Sequence, residues 1–241
     1  MQSIRTLTMS DLRNLNRDSL LRLMVIYPWI IALLLRWVLP FMVEGFADQF
    51  DLRPYYGILT SFFSIMLMPQ IFGCVIGFML LDERDEGTLT VLRVTPLTLG
   101  RYLTYKLAVP FVVAVIAVYI FVPVVGLVQL PYAPLLPIAL VAALEAPMIA
   151  LLLASLATNK VQGVAVMKGM SLIFIAPLIA YFTPQPWELL WGIFPTYWPV
   201  RAFWALLEGE AWWPYVVAGL AVHLFYLALL WRLFERALSR Q

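Results

Sequence analysis

Long continuous runs of apolar residues, separated by short polar segments, dominate this sequence. Each run approaches the roughly 20 apolar residues that an α-helix needs to cross about 30 Å of hydrocarbon. Because the runs are continuous rather than alternating, they predict helices and not the strands of a membrane barrel. We predict six spans, at Leu20–Val43, Tyr56–Leu81, Leu103–Val128, Pro134–Ala157, Val164–Phe182 and Trp213–Phe234.

Six prolines lie inside or near these runs. Neighbouring helices can satisfy the backbone groups that a proline frees, so we expect kinks rather than interruptions. They are Pro28, Pro69, Pro110, Pro123, Pro147 and Pro177.

Composition agrees with this pattern. The 241 residues are 63% hydrophobic and 12% charged, with a mean hydropathy of +0.89. A soluble domain is about 45–50% apolar and about 25% charged, and a chain this short cannot hide the excess in its own core. We therefore predict an all-α polytopic membrane protein in contact with membrane lipids, with residues 1–241 as one transmembrane domain. A net charge of +2 gives no reason to expect nucleic acid.

Basic residues predict the orientation of the spans. Four precede the first span or lie at its edge, four follow the second, two follow the fourth and three follow the sixth, against two in the intervening loops. The thirteen are Arg5, Arg13, Arg17, Arg22, Arg84, Arg93, Arg101, Lys106, Lys160, Lys168, Arg232, Arg236 and Arg240; the two are Arg53 and Arg201. The positive-inside rule places both termini in the cytoplasm.

Two segments are neither spans nor simple loops. Residues 1–19 carry apolar residues on one side of a helical wheel and basic residues on the other, which predicts a helix in the cytoplasmic interface. Asp18 is a plausible N-cap for the first span. Residues 184–212 are too aromatic for a free loop and too rich in proline for a span, so we predict short re-entrant helices in the outer leaflet.

Motifs for catalysis are missing from the sequence. It has no GxxxxGK[ST] phosphate loop, no HExxH or GxSxG motif, and no Cys/His cluster with metal-ligand spacing. We therefore predict no enzyme activity, no catalytic residue, no metal site and no cofactor bound by this chain. Active transport would draw its energy from an ion gradient or from a partner.

The predicted cytoplasmic loop over residues 82–102 is the most informative segment. It opens with a dense acid–base cluster, Asp82, Glu83, Arg84, Asp85 and Glu86. Gly87 permits a sharp turn and Thr88 can cap a short helix, Thr88–Val94, with Leu89 and Leu92 on one face. Thr95-Pro96 then gives an N-cap followed by proline. Such a helix suits docking into a groove of another protein, and a tight connector with solvated charges is an equally good interpretation.

This loop resembles that of ABC-2-type permeases, the membrane subunits of a class of ABC exporters. The matching residues are Glu83, Arg84, Asp85, Glu86, Gly87, Thr88, Leu89, Leu92, Thr95, Pro96 and Lys106. The interfacial helix, six spans and outer helices are similar to the family's layout. A weaker similarity, to bacterial drug export permeases that include those for fluoroquinolones, lies in Asn159–Gly169, Pro177 and Pro195–Pro199.

The resemblance implies half of a transporter in a bacterial inner membrane. Two such permeases, as a homodimer or a paralogous heterodimer, would pair above two copies of an ABC ATPase subunit that binds ATP and Mg. Thr88–Val94 would then be the coupling helix, and the acidic cluster with Arg84 would tether it to the ATPase. The implied function is outward transport of a hydrophobic or amphipathic compound, a drug or a lipid.

Ionisable and polar residues inside the membrane are the remaining candidates. Glu145 and His223 lie at similar depths, near the bilayer centre, in the fourth and sixth spans. Glu145 either lines a translocation path or is a buried carboxyl bonded to another helix; His223 is a proton relay or a neutral hydrogen-bond partner. Gln70 is likewise a candidate for the path or for helix packing.

Two further functions remain open from the residues alone. A proton-coupled secondary transporter could use Glu145 and His223, and a membrane assembly or sensor subunit would transport nothing. The sequence identifies neither the substrate nor the second permease.

Overall fold

A computed structural model describes residues 2–46, 51–86 and 99–239, and all regular structure in these ranges is helical. We number the helices in chain order, treating the continuous helical run Arg53–Asp85 as one element. They are α1 Gln2–Arg17, α2 Ser19–Gly45, α3 Arg53–Asp85, α4 Leu99–Val125, α5 Tyr132–Ala143, α6 Glu145–Leu156, α7 Lys160–Phe174, α8 Ala176–Tyr181, α9 Tyr197–Glu208 and α10 Trp213–Ser239. A 3₁₀ segment, Trp187–Ile193, precedes α9.

Within the described ranges, five stretches are long and apolar enough to cross a membrane. They are Ser19–Gly45, Arg53–Asp85, Gly100–Val125, Tyr132–Leu156 and Trp213–Arg236. Each matches a predicted span to within a few residues, so the polytopic all-α prediction is confirmed. The remaining predicted span, over residues 164–182, is divided between α7 and α8.

Prolines account for the irregular places in these helices. The α5 helix ends at Ala143, where the proline ring of Pro147 removes the N–H that the next turn needs. The break at Ile175 lies two residues before Pro177. In α3, the residues Phe62–Met66 form a π-helical turn just before Pro69. Pro147 accompanies a local irregularity at Leu144 within one continuous span, Tyr132–Leu156, as expected, whereas near Pro177 the helix is interrupted at Ile175.

The most extensive packing in the structure joins α3 to α6. Gly73 and Gly77, four residues apart, form a groove on α3 into which α6 fits. A Cβ on Gly73 would lie 2.5 Å from the carbonyl oxygen of Ala146, and one on Gly77 would lie 2.6 Å from Leu153 Cδ1. Small residues at this spacing let membrane helices approach closely. The glycine pair therefore fixes the centre of the bundle.

The α2 and α10 helices lie at the periphery. Only 11% of the apolar window of α2 is buried, against 89% for α3. Large apolar side chains such as Trp37 and Phe41 are exposed on α2, and Phe225 is exposed on α10. These surfaces suit lipid or another apolar protein surface rather than water.

Both predicted non-spanning segments are helical where expected. The first, α1, ends at Arg17, and the Asp18 carboxylate then accepts hydrogen bonds from Leu20 N (2.8 Å) and Leu21 N (3.2 Å). The predicted N-cap is therefore confirmed. The α9 helix is buried in the bundle over Pro199–Ala205, and Trp204 Nε1 donates to Ser61 Oγ at 2.9 Å.

Candidate functional site

The end of α3 and the loop after it carry nine of the predicted site residues. Four of these lie in the last turn of α3 or immediately after it: Glu83, Arg84, Asp85 and Glu86. The others, Gly87, Thr88, Leu89, Leu92 and Pro96, and with them the predicted coupling helix Thr88–Val94, lie outside the described residues. The structure therefore informs on the two ends of this loop, and the coupling helix stays a prediction.

A buried ionic network joins these two ends. Lys106 in α4 is fully buried, and its Nζ lies 2.6 Å from Asp11 Oδ1 and 2.7 Å from Glu83 Oε1. The Tyr102 hydroxyl donates to the other oxygen of Glu83, and the Tyr105 hydroxyl donates to Asp11 Oδ2 at 3.2 Å. One buried cation thus serves two carboxylates, whose other oxygens are satisfied by tyrosines, as burial of charge requires.

The network ties three helices together at one point. Asp11 belongs to α1, the predicted interfacial helix, Glu83 to the end of α3 and Lys106 to the start of α4. A buried pair with close geometry resists separation, because parting the groups would leave an uncompensated charge. The ends of α3 and α4 that flank the loop are therefore held to α1 by one buried cation.

Lys160 makes a second junction nearby. Its Nζ bonds the Asp18 carboxylate and lies 2.9 Å from Asp82 Oδ2. The bond to Lys160 lowers the pKa of Asp18. Burial alone would lower the pKa of Lys160, but its bonds to Asp18 and Asp82 outweigh burial and raise it. This junction holds the starts of α2 and α7 against the end of α3.

The charged residues of the predicted tether differ in their surroundings. Arg84 Nη1 donates to the carbonyl oxygens of Ala157 at 3.0 Å and Ala154 at 3.4 Å, at the carboxyl end of α6. A cation there satisfies carbonyls that no helical N–H can reach. Asp85 and Glu86, in contrast, are exposed. Of the four described residues, these two carboxylates are the ones accessible to a partner.

The candidate groups Glu145 and His223 face each other in the bundle. Glu145 Oε1 lies 3.8 Å from His223 Nε2, and the two side chains are 2% and 0% exposed. The distance is too long for a hydrogen bond. Neither oxygen of Glu145 nor Nε2 of His223 has a hydrogen-bond partner within the described ranges. The prediction of similar depth is consistent with this pairing.

The other ring nitrogen fixes the tautomer of His223. Nδ1 lies 2.7 Å from the Gly219 carbonyl oxygen. Because a carbonyl oxygen can only accept, Nδ1 carries the hydrogen, and Nε2 of the neutral ring is left as an acceptor. An ionised Glu145 also only accepts. In that combination, a neutral ring and an ionised carboxylate, two acceptors face each other, and a donor has to be supplied by an added proton or by another group.

Glu145 also lines a cavity of about 280 Å³. The cavity lies between α6, α7, α10 and the turn that precedes α9. Its other lining residues are apolar or aromatic except for Thr196, whose Oγ1 is buried without a partner in the described part of the chain. They are Met148, Ile149, Leu152, Met170, Phe174, Phe194, Pro195, Tyr226, Leu229 and Leu230.

Gln70, the third candidate, lies in a different cavity. This one, of about 560 Å³, is bounded by α2, α3, α7 and Ile175, and Gln70 lines it together with Tyr27 and Cys74. The structure therefore brings Glu145 and His223 together and keeps Gln70 apart from them. Phe174, the last residue of α7, lines both cavities.

A further charged cluster lies at the predicted outer end. The guanidinium of Arg201, almost fully buried, lies 3.4 Å from Glu188 and 3.2 Å from both Glu208 and Glu210. It also lies over the Tyr215 ring, at 5.0 Å from the centroid. One cation that holds three carboxylates fixes the 3₁₀ segment, α9 and the turn after it to each other.

The sequence matches one family of known proteins over most of its length. The family model described as "Fluoroquinolones export permease protein Rv2686c-like" matches residues 11–231. The chain belongs to the Rv2686c-like family of export permeases. It is 34% identical over 231 residues to the fluoroquinolones export permease proteins MT2760 and Rv2686c of Mycobacterium tuberculosis, strains CDC 1551 / Oshkosh and ATCC 25618 / H37Rv. The alignments cover 94% of this chain and 90% of each relative. No solved structure matches.

Membership confirms the predicted resemblance to drug export permeases and is consistent with the resemblance to ABC-2-type permeases. This Rv2686c-like chain is thus a multi-pass membrane permease associated with export. The matched range, which begins at the position of Asp11, contains every residue of both ionic junctions.

Sequence reasoning missed several residues of this Rv2686c-like site. Asp11 was not singled out, and Lys106 and Lys160 were used mainly for orientation. A usable signal was the spacing of Tyr102 and Lys106, which are four residues apart and hence on one face of α4. A lysine that shares a helix face with a tyrosine inside an apolar run suggests a buried pair, but the sequence cannot show that Asp11 is the partner.

Proposed function

We propose that this chain is the membrane-spanning permease subunit of an ATP-binding-cassette exporter. It forms the translocation path and is coupled to a separate ATPase by the loop between α3 and α4. ATP and Mg bind to the ATPase, in two copies, and a second permease completes the path. The membrane is the bacterial inner membrane, with both termini in the cytoplasm.

The observation that carries this proposal is the buried network at the base of the loop. Lys106 joins Glu83, just before the loop, to Asp11 of the interfacial helix. A lever needs a rigid attachment at its base, and buried ion pairs supply one because separation costs about 3–5 kcal/mol. The exposed carboxylates Asp85 and Glu86 stand beyond this base, where a partner protein can reach them.

The substrate follows from the relatives and from the cavities. The two relatives are named fluoroquinolones export permeases, and we propose a similar hydrophobic or amphipathic compound for this chain. Gln70 and Glu145 line two largely apolar cavities that share Phe174. His223 lies against Glu145 and acts through it. Gln70, Glu145 and His223 are the residues that we propose for the translocation path.

The decisive experiment is capture of the cognate ATPase. Replacing Gly87 and Leu89 together by aspartate should abolish co-purification of the ATPase and ATP-driven export of a fluoroquinolone. The matched control replaces Gly45 and Phe46 by aspartate. These two residues are exposed at the carboxyl end of α2, which is predicted to face away from the cytoplasm. Unchanged capture and transport in the loop variant would refute the coupling role.

A second candidate function is proton-coupled secondary transport. The observation that favours it is the buried Glu145–His223 pair, at 3.8 Å and with no donor between the two groups. Transport in vesicles distinguishes the two. An ATP-driven exporter needs ATP and a second polypeptide and continues when the proton gradient is collapsed, whereas the secondary transporter stops; a chain that only assists assembly transports nothing in either condition.

A further inference from the structure

The cavity at Glu145 combines an apolar enclosure with buried polar atoms that have no hydrogen-bond partner among the described residues. Within the described residues, neither oxygen of Glu145 is bonded, and the Thr196 hydroxyl is also buried without a partner. Buried carboxylates are almost always paired, because an isolated ionised group is costly in an apolar environment. The arrangement therefore favours a bound species that supplies positive charge or N–H groups.

His223 does not meet this need. Its Nδ1–H is used by the Gly219 carbonyl, and in the neutral ring Nε2 presents a lone pair to Glu145 at 3.8 Å. No Lys or Arg forms a salt bridge with Glu145 among the described residues. The missing donor must therefore come from a ligand or from an added proton.

The size and lining of the cavity distinguish between these two. Its volume of about 280 Å³ is close to the lower end of the range for small-molecule pockets, about 300–1,000 Å³. Its walls include the rings of Phe174, Phe194 and Tyr226. Aromatic faces attract cations, and the aliphatic remainder suits an apolar body. A proton alone would need neither the volume nor the rings.

We propose that the Glu145 cavity binds lipophilic amines in their protonated form. The ammonium group donates to the Glu145 carboxylate, and the apolar body lies among the aromatic and aliphatic side chains. This inference deepens the proposed function, on which it rests, by naming the chemical class of the transported compound and the residue that selects it. No covalent step is involved.

The selectivity can be measured on the full-length chain alone, reconstituted in lipid nanodiscs. The probe is 1-naphthylmethylamine, which is protonated at neutral pH, and its uncharged counterpart is 1-ethylnaphthalene. We expect the amine to bind about tenfold or more tightly than the hydrocarbon, because charge-assisted hydrogen bonds are the strong ones. Equal affinities for the wild-type chain would overturn the proposal, whatever the behaviour of any variant.

Variants then locate the site. Glu145→Gln keeps the shape of the side chain but removes its charge, so the preference for the amine should disappear. The matched control is Glu44→Gln at an exposed position near the end of α2, which should retain it. Leu152→Trp, which fills the cavity and leaves the carboxylate unchanged, should weaken the binding of both probes. A preference that survives Glu145→Gln would overturn the proposal and leave the Glu145–His223 pair to proton chemistry.

This experiment and the ATPase capture fail independently. Binding to the isolated chain requires no ATPase, so equal probe affinities with intact capture would refute the amine site alone. The chain can lose its selectivity for the amine and still support ATP-driven export. It can also keep this selectivity when capture of the ATPase fails, and that result would refute only the coupling role of the loop.

Discussion

A single methyl group at Gly73 should destabilise the whole bundle. The Cβ of Gly73→Ala would lie 2.5 Å from the Ala146 carbonyl oxygen and 2.8 Å from Ile149 Cβ. A carbon normally approaches a carbonyl oxygen no closer than about 3.3 Å. The oxygen belongs to the backbone of α6 and cannot rotate away, so α3 and α6 must separate by a large fraction of an ångström.

These contacts give the expected loss in the free energy of unfolding. Overpacking a close-fitting core costs about 1–3 kcal/mol, and the better helix propensity of alanine returns at most about 1 kcal/mol. We expect a net loss of about 1–2 kcal/mol, which for a chain of this size lowers the Tm by about 2–8 °C. The matched control is Gly169→Ala in α7, where the new Cβ has no neighbour within 4 Å. That variant should be as stable as the wild type or slightly more stable.

Cys74 provides the assay without further engineering. It is the sole cysteine of the chain and is 1% exposed, next to Gly73 in α3 and on the wall of the larger cavity. A fluorogenic maleimide will react with it only when the helices around α3 separate, so the thermal midpoint of labelling reports the opening of the bundle. If Gly73→Ala and Gly169→Ala gave the same midpoint, the close approach of α3 and α6 would not be what holds the bundle.

Three further variants test the ionic clusters by their Tm, which is followed by tryptophan fluorescence because maleimide needs a thiolate and does not label cysteine in acid. Lys106→Met should lower the Tm far more than the same change at the exposed Lys168, because the buried Glu83 and the partly buried Asp11 lose their cation, at about 3–5 kcal/mol. Equal effects would mean that the network is weak. Asp18→Asn keeps the capping oxygen, and since the pKa of Asp18 is lowered, its charge stabilises the fold at neutral pH and ceases to do so as the pH falls well below 3.8. The variant should therefore be less stable than the wild type at pH 7 and equal to it in strong acid, and a gap that persists in acid would contradict the lowered pKa. Arg201→Lys loses the planar contact with three carboxylates, two of them half exposed, and should cost about 1–2 kcal/mol, whereas Arg53→Lys in an exposed pair should change nothing.

Local signals predicted the helices well. The apolar runs placed α2 and α10 to within a few residues, because a span has to be long, continuous and apolar whatever it packs against. Asp18 was predicted as an N-cap from its position alone, since capping depends only on neighbouring residues. What the runs did not show is where a helix stops briefly, as at Ile175.

Proline explains why that distinction is difficult. Pro110 and Pro177 both lie in apolar stretches. The α4 helix continues through Pro110, whereas the helix before Pro177 is interrupted at Ile175, two residues earlier. A proline always removes one hydrogen bond. Whether the helix continues depends on what its neighbours offer to the freed carbonyl, and that is a property of the tertiary structure.

Pairs distant in sequence were beyond prediction for a related reason. Lys106 and Asp11 are 95 residues apart, and each has an unremarkable explanation when considered alone. Glu145 and His223 were recognised as candidates because ionisable residues are rare at the bilayer centre. Depth constrains such groups along the membrane normal, but it says nothing about which faces of the two helices meet.

The π-helical turn at Phe62–Met66 has a consequence for the evolution of chain length. It accommodates one residue more than an α-helical turn would, and Phe62 and Met66 border the larger cavity. Because the turn absorbs this extra residue, deleting it would convert the π turn to an α turn, and the parts of α3 on both sides, including Gly73 and Glu83, would keep their register. A relative could therefore gain or lose a residue at this turn and reshape one cavity wall while the end of α3 that leads into the loop stays in place.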